Sequence, residues 1–410
     1  MTESPDAPEP AADAPADLPV VRLKPKANAR AIRRGFPWVF ADELVTDRRT
    51  KALEPGTIAM LEDAERKTLG RVAVNPKSKI IARMIDTGGR GIPDHAWFVA
   101  RLKRALDLRE RLYDAPFYRL VHAEADGLPG VVIDRFGDVA VIQPNAAWAD
   151  VLIEPLAEAL AEVTGVTTIL KNAGGRGRSL EGLDAEDMAL RGAAPDAPLR
   201  VEMNGATYMA DLTGGQKTGL FYDQRENQGF AARFARGQDV LDVFSHVGGF
   251  ALAALANGAA SALSVDGSAP ALDLARQGAE ASGVADRFDT RQGDAFDVLA
   301  ELGEEKRRFG LIVCDPPAFA PAKPALEAGL RAYERVAKMS APLVSPGGIL
   351  VLCSCSHAAD LAAFQGASLR GIGRAGRRAQ LLYTGQAGPD HPLLPQLAES
   401  GYLKALVFRL

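Results

Sequence analysis

Residues 240–266 read Val-Leu-Asp-Val-Phe-Ser-His-Val-Gly-Gly-Phe-Ala-Leu-Ala-Ala-Leu-Ala-Asn-Gly-Ala-Ala-Ser-Ala-Leu-Ser-Val-Asp. The apolar run at 240–244 predicts a strand, Gly248-Gly249 a turn, 250–256 a helix and 262–266 a second strand. The rhythm continues downstream. Helices are expected over 269–282, 295–302 and 325–341, and strands over 288–292, 311–315 and 348–353. One more apolar strand is expected at 403–410. Strands that alternate with helices imply parallel pairing and a sheet covered on both faces. The rhythm begins near Val201, so an open, doubly wound α/β domain is expected over 201–410.

In such a sheet, ligands bind beyond the carboxyl ends of the strands. The first strand runs into Phe244, Ser245 and Gly248. Glycine lets the backbone approach a ligand, and helix N–H groups favour its anionic part. A Gly-Gly turn alone also reads as a tight turn. Asp266 closes the second strand, where a carboxylate accepts both ribose hydroxyls. That favours a nucleoside, and the lack of a full G-x-G-x-x-G argues against a dinucleotide. Gly293-Asp294-Ala295-Phe296 closes the third strand. Asp294 is within reach of an adenine amino group, with Ala295 beside it. Asp294 also reads as a helix N-cap.

The fourth strand ends in Cys314-Asp315-Pro316-Pro317-Ala318-Phe319. Two prolines stiffen this loop. It resembles the Asp/Asn-Pro-Pro-aromatic loop of methyltransferases that act on planar nitrogens or bases. Asp315, Pro316, Pro317 and Phe319 are therefore assigned to the substrate pocket, and Asp315 to the donor side as well. The fifth strand exits through Leu352-Cys353-Ser354-Cys355-Ser356-His357. Cys353 and Cys355 are expected on opposite faces, one in the core and one in the cleft. Carbon 5 of a pyrimidine is a poor nucleophile. A thiolate added to C6 makes C5 enamine-like, able to take a methyl group before a base removes its proton. Cys314 and Cys353 lie inside apolar strands and read as core. Cys355, at the exit between two serines, reads as the nucleophile. Gln216-Lys217-Thr218-Gly219 through Asp223-Gln224-Arg225 precedes the sheet. Gln224 or Arg225 suits a carboxylate of the bound cofactor, although Asp223 also reads as a helix cap.

Upstream, residues 1–19 are Ala, Pro, Asp and Glu almost throughout, a disordered acidic tail. The sign then reverses in Arg22, Lys24, Lys26, Arg30, Arg33 and Arg34, followed by Phe36-Pro37-Trp38-Val39-Phe40. Short β-like runs at 57–61, 69–75 and 80–85 complete a small, mostly β unit over 20–91. Its basic cluster is either a solvated face or a platform for RNA phosphates, with Lys24, Lys26, Arg33 and Arg34 as candidates. Residues 92–200 form a small central α/β domain. It has an Arg-rich helix over 97–113, a hairpin of 131–134 with 139–143, a helix over 147–164 and a strand at 167–171. The net charge of −4 argues against a polybasic coat. No Cys-x-x-Cys pair exists among the three cysteines, so neither structural zinc nor a disulfide framework is expected. No apolar run is long enough to span a membrane, and no secretion signal begins the chain, which points to the cytoplasm.

In order, Lys217-Thr218-Gly219, Asp223-Gln224-Arg225, Phe244-Ser245, Gly248-Gly249-Phe250, Asp315-Pro316-Pro317 with Phe319, and Ser354-Cys355-Ser356 form a recognisable set. The chain resembles the bacterial large-subunit ribosomal-RNA cytosine-C5 methyltransferases. Asp126-Gly127-Leu128-Pro129-Gly130, Asp134-Arg135 and Asp390-His391-Pro392 extend the resemblance over about residues 20–410. It implies a PUA-like domain, a central domain and a Rossmann-like class I methyltransferase sheet that uses S-adenosylmethionine (SAM). It also implies ribosomal RNA as partner, Cys355 as nucleophile and Asp315 as the acid orienting the cytosine. A homodimer is left open. Two departures stand out. Ala318 precedes Phe319 where relatives often carry Lys, and His246-Val247 replaces a common aromatic-Thr pair. The rival readings are N-methylation of adenine or guanine in RNA and a non-catalytic RNA-binding protein.

Overall fold

Apolar residues on both faces of each central strand force a sheet sandwiched between helices. This computed structural model describes residues 18–88, 91–214 and 219–410. Most of the acidic tail and the Gln216-Lys217-Thr218 stretch lie outside the described residues. The C-terminal sheet comprises β1 (Asp239–Val243), β2 (Ser261–Asp266), β3 (Phe288–Gln292), β4 (Phe309–Cys314), β5 (Val344–Ser354), β6 (Gln380–Gly385) and β7 (Lys404–Arg409). Their order is β3-β2-β1-β4-β5-β7-β6. Val240, Val313, Val351 and Cys353 face one core, while Leu241, Val243, Ile312, Cys314 and Leu352 face the other. The helices are α1 (Arg225–Ala232), α2 (Gly249–Ala256), α3 (Ala269–Ala281), α4 (Ala295–Glu304), α5 (Leu326–Ser340) and α6 (Leu361–Arg374).

Strands β3, β2, β1, β4 and β5 pair in parallel, as the alternation predicts. The last two do not: β7 runs antiparallel to both β5 and β6. The strand order reverses at β1, which has β2 on one side and β4 on the other. The crevice above those ends is where an open α/β sheet binds its ligand.

The N-terminal unit is a five-stranded sheet with its own core of Val21, Val39, Leu61, Val72 and Val74. The middle unit is another five-stranded sheet, with helices His95–Leu112 and Ile153–Thr164 against it. The predicted hairpin is present, pairing Val131–Phe136 with Val139–Pro144. The single helix expected over 147–164 is two, Ala147–Val151 and Ile153–Thr164. Pro155 explains the break, because it has no N–H to offer the carbonyl of Val151. Among the described residues no helix is long and apolar enough to cross a membrane. No group of three or more His, Cys, Asp or Glu among them is placed to hold a metal ion.

Candidate active site

The turn after β1 is wound tightly. Phe244 (φ +62°), His246 (φ +50°) and Gly248 (φ +79°) all occupy the left-handed region. Two non-glycine residues there carry strain of about 1–3 kcal/mol each, so the turn must be held by its surroundings. Ser245 N–H donates to the Val265 carbonyl (3.0 Å) and Gly248 N–H to the Ser245 carbonyl (2.8 Å). Asp266 accepts from His246 N–H through Oδ2 (2.8 Å) and from Ser268 N–H through Oδ1 (2.9 Å). The acid expected to meet a ribose therefore also joins the ends of β1 and β2. Each carboxylate oxygen keeps a further lone pair for a ligand. A Cβ on Gly249 would lie 2.6 Å from Gln228 Nε2, so a side chain there would have to displace the Gln228 amide. Ser245 Oγ is buried without a hydrogen-bond partner.

Asp294 accepts from Phe296 N–H (2.9 Å) and Asp297 N–H (3.3 Å), capping α4. Its side chain is exposed, and Ala295 is buried beneath it. Gln224 and Arg225 separate. Gln224 Nε2 donates to Asp315 Oδ2 (2.9 Å), and its Oε1 accepts from Asn227 (2.7 Å). Gln224 thus orients Asp315. Arg225 is not brought to that group. Its guanidinium donates to the Phe117 carbonyl of the middle unit and lies 4.1 Å from the Tyr113 ring centroid. The cause is helical geometry: successive residues point about 100° apart.

Asp315 follows β4 directly, and its N–H donates to the Val243 carbonyl (3.2 Å), tying the β4 exit to β1. Pro316 is buried and Pro317 exposed. The Phe319 ring packs 5.0 Å from Tyr333 and 6.3 Å from Phe244, centroid to centroid. The Pro-Pro loop is fixed to the cysteine loop, because Ala320 N–H donates to Ser356 Oγ (2.9 Å).

Cys314 is buried against Ser340 Oγ (3.2 Å), and burial pushes its thiol up to about 12. Cys353 is buried too, its thiol held well above the usual range by desolvation and then by the charge of Asp315. Cys355 is partly exposed. The expectation of opposite faces for Cys353 and Cys355 needs correction, since residues two apart on a strand share a face. What separates them is position along the strand: β5 stops at Ser354, one residue short of Cys355. The flanking serines point into the core. Ser354 Oγ donates to Tyr333 Oη (2.9 Å), and Tyr333 Oη shares a hydrogen bond with Ser356 Oγ (2.7 Å).

The basic candidates divide. Lys24 Nζ donates to the Asp42 carbonyl (2.9 Å), and Arg33 pairs with Asp63. Lys26 and Arg34 are exposed. Trp38 is partly buried, and its Nε1 donates to Glu124 of the middle unit (2.8 Å). The sequence reading missed Tyr333 and Lys404, which brace the cysteine loop, and the buried carboxyl of Asp242. The Ser-Cys-Ser pattern was the available sign, since two buried serines require partners.

A sheet that reverses at β1, a glycine turn at that point, and acids ending β2 and β4 define a nucleoside-binding transferase of the doubly wound class. A PUA-like domain matches residues 21–87, and the S-adenosylmethionine-dependent methyltransferase family matches residues 178–409. The chain is 35% identical over 398 residues to the Ribosomal RNA large subunit methyltransferase I of Shewanella denitrificans, covering 95% of this chain and 99% of that one. Against the protein of the same name from Shewanella amazonensis it is 36% identical over 394 residues, with the same coverage. A SAM-dependent methyltransferase structure from Streptococcus mutans superposes with a TM-score of 0.80 at 19% identity, over 96% of this chain and 100% of that one. A further methyltransferase structure, complexed with SAH, gives 0.81 at 19% identity, again over 96% of this chain and 100% of that one. The chain belongs to the S-adenosylmethionine-dependent methyltransferases, in the family of the two Shewanella proteins. Its methyl donor is SAM. The residues present fit that donor: the turn is opened by Gly248, and Ser245 carries an unpartnered hydroxyl.

Proposed function

We propose that this chain methylates carbon 5 of a cytosine in large-subunit ribosomal RNA through a covalent bond to Cys355. The observation that carries this reading is the adjacency of two strand ends. β4 and β5 pair in register up to Cys314 and Leu352, so Asp315 and the Cys353–Cys355 exit leave the sheet side by side. The names of the Shewanella relatives support ribosomal RNA as the substrate. SAM supplies an electrophilic methyl group, held by Phe244, Ser245, Gly248, Asp266, Asp294, Ala295 and Gln224. The target base leaves its stack to enter the pocket bounded by Pro316, Pro317 and Phe319. Asp315, oriented by Gln224, hydrogen-bonds the base and orients it. The Cys355 thiolate adds to C6, and the electron pair released toward C5 takes the methyl group. A base then removes the C5 proton, and the C6–S bond breaks to return the thiolate.

In this reading residues 20–91 and 92–200 are the RNA-holding units and 201–410 the catalytic one. Lys26 and Arg34 are the solvent-facing phosphate contacts, with Lys24 and Arg33 beside them. Cys355→Ala is expected to bind SAM normally and to lose methyl transfer to below detection. Mass spectrometry of digested RNA should find 5-methylcytidine with the wild-type chain. Full activity in Cys355→Ala, or a methyl group on an adenine or guanine nitrogen, rejects the proposal.

A further inference from the structure

Lys404 begins β7 and lies opposite Ser354, the last residue of β5. It is 8% exposed. Its Nζ donates to the carbonyls of Ser356 (2.7 Å) and Ala359 (2.8 Å). Both carbonyls belong to the loop that starts at Cys355. The two hydrogen-bond acceptors of this ammonium are neutral carbonyls, and a buried cation gains from negative charge nearby. Burial holds the Lys404 pKa below the usual lysine value, while the charges of Cys355 and Asp360 pull it back up. The thiolate that the chemistry needs is a counter-charge at hand.

We infer that Lys404 is a positioning residue that holds Cys355 as a thiolate while clamping the loop that presents it. This rests on the reading of Cys355 as the nucleophile. The nearby carboxylates work the other way. Asp315, at the adjacent strand end, and Asp360, which caps α6, are carboxylates that oppose a second negative charge. Tyr402 and Tyr333 also feel the Cys355 charge, but burial keeps both phenols protonated. Tyr402 donates to Asp223 (2.5 Å) and packs at a tilt against His357 (5.7 Å between centroids). Arg119, near Tyr402, is committed to Asp134 (2.7 Å). Lys404, by contrast, is a buried cation whose donors reach the Cys355 loop itself.

The test follows the alkylation of Cys355 by iodoacetamide against pH in the full chain, read at that residue by peptide mass spectrometry. Lys404→Met removes charge and donors, Lys404→Gln removes the charge but keeps a donor, and Lys404→Arg keeps both. The ionisation midpoint of Cys355 is expected to rise by about one pH unit or more in the Met and Gln variants, as loss of a nearby opposite charge requires. Arg should restore most of the shift. SAM binding in the same samples reports that the fold is kept. Should the Met variant fail to bind SAM, the Gln variant decides. An unchanged midpoint in a SAM-binding Met or Gln variant overturns the inference. Full methyl transfer by Cys355→Ser would instead defeat the nucleophile reading, and would leave the midpoint result standing.

Discussion

Asp242 lies within β1 with one carboxylate oxygen accepting from Ala251 N–H (2.9 Å) and the other buried without a partner. Burial raises its pKa to about 7, against the pull of the Ala251 and Phe250 N–H groups and with a further push from Asp266. The folded chain therefore holds this proton where the unfolded chain, near 3.8, releases it. Between those values the folded state binds more protons, so this contribution to stability falls as pH rises. Asp242→Asn cannot ionise. Its melting temperature relative to wild type should climb from pH 4 to 7 and level off above. A constant difference across that range would show that Asp242 titrates normally. The burial of Cys314 and Cys353 was legible in the sequence, because an apolar strand announces burial, whereas the faces of Cys353 and Cys355 were not. Arg225 was less legible. Whether an arginine faces a ligand or a neighbouring domain depends on helix phase and on residues far away in the chain, here Phe117 and Tyr113.

Among elements, the cysteine loop depends on α5. Tyr333 reaches from that helix to bridge Ser354 and Ser356, and Ser356 also takes the Ala320 N–H of the Pro-Pro loop. Tyr333→Phe keeps the ring but deletes the shared hydroxyl, leaving two buried serines to find other partners. The expected cost is about 1–3 kcal/mol in stability, with kcat falling more than SAM affinity. Equal losses in both would place the effect on the whole domain. The central parallel strands were readable because they are apolar on both faces, whereas β3, Phe-Asp-Thr-Arg-Gln, was placed by the alternating rhythm. β6 was not, since Gln380-Leu-Leu-Tyr-Thr-Gly385 is an edge strand with Leu381 and Leu382 exposed, and no buried face imposes alternation. α6 hid behind Gly366, Gly371 and Gly373, poor helix formers. Gly371 is there for packing: a Cβ would lie 2.4 Å from the Glu334 carbonyl of α5. The hairpin of Leu199–Met203 with Ala206–Ala210 was missed although Asn204-Gly205, both at positive φ, is a strong turn signal.

Across the whole molecule, buried hydrogen bonds and the ion pair of Arg83 with Glu181 join the three large sheets. Glu181 of the middle unit accepts from Asn75 (2.9 Å), Ser78 (2.8 Å) and Arg83 (3.2 Å) of the N-terminal one. Arg109 bonds both oxygens of Asp126 (2.7 Å each) and the Asp390 carbonyl (2.8 Å), while Asp390 Oδ2 accepts from Arg119 N–H (3.0 Å). Of the motifs that the sequence offered only as a resemblance, Asp390 thus ties its loop to the middle unit, Asp126 holds the Arg109 that makes this tie, and the Arg135 carbonyl accepts from Tyr222 Oη (2.9 Å). No local pattern reveals these contacts between units, whose partners lie from 87 to 281 residues apart. Asp126→Ala strands the Arg109 guanidinium, which is fully buried. It should cost about 3–5 kcal/mol and lower the melting temperature by several degrees in calorimetry. A change of under a degree would mean that water or a shifted carboxylate takes over.

The covalent step is open to direct trapping. The chain is incubated with SAM and large-subunit RNA in which cytidines are replaced by 5-fluorocytidine. Fluorine at C5 cannot leave as a proton, so a methylated adduct cannot expel the thiolate. A protein–RNA bond that maps to Cys355, and that Cys355→Ala lacks, is the expected result. Methyl transfer to a nitrogen of ordinary RNA with no trapped complex would contradict it.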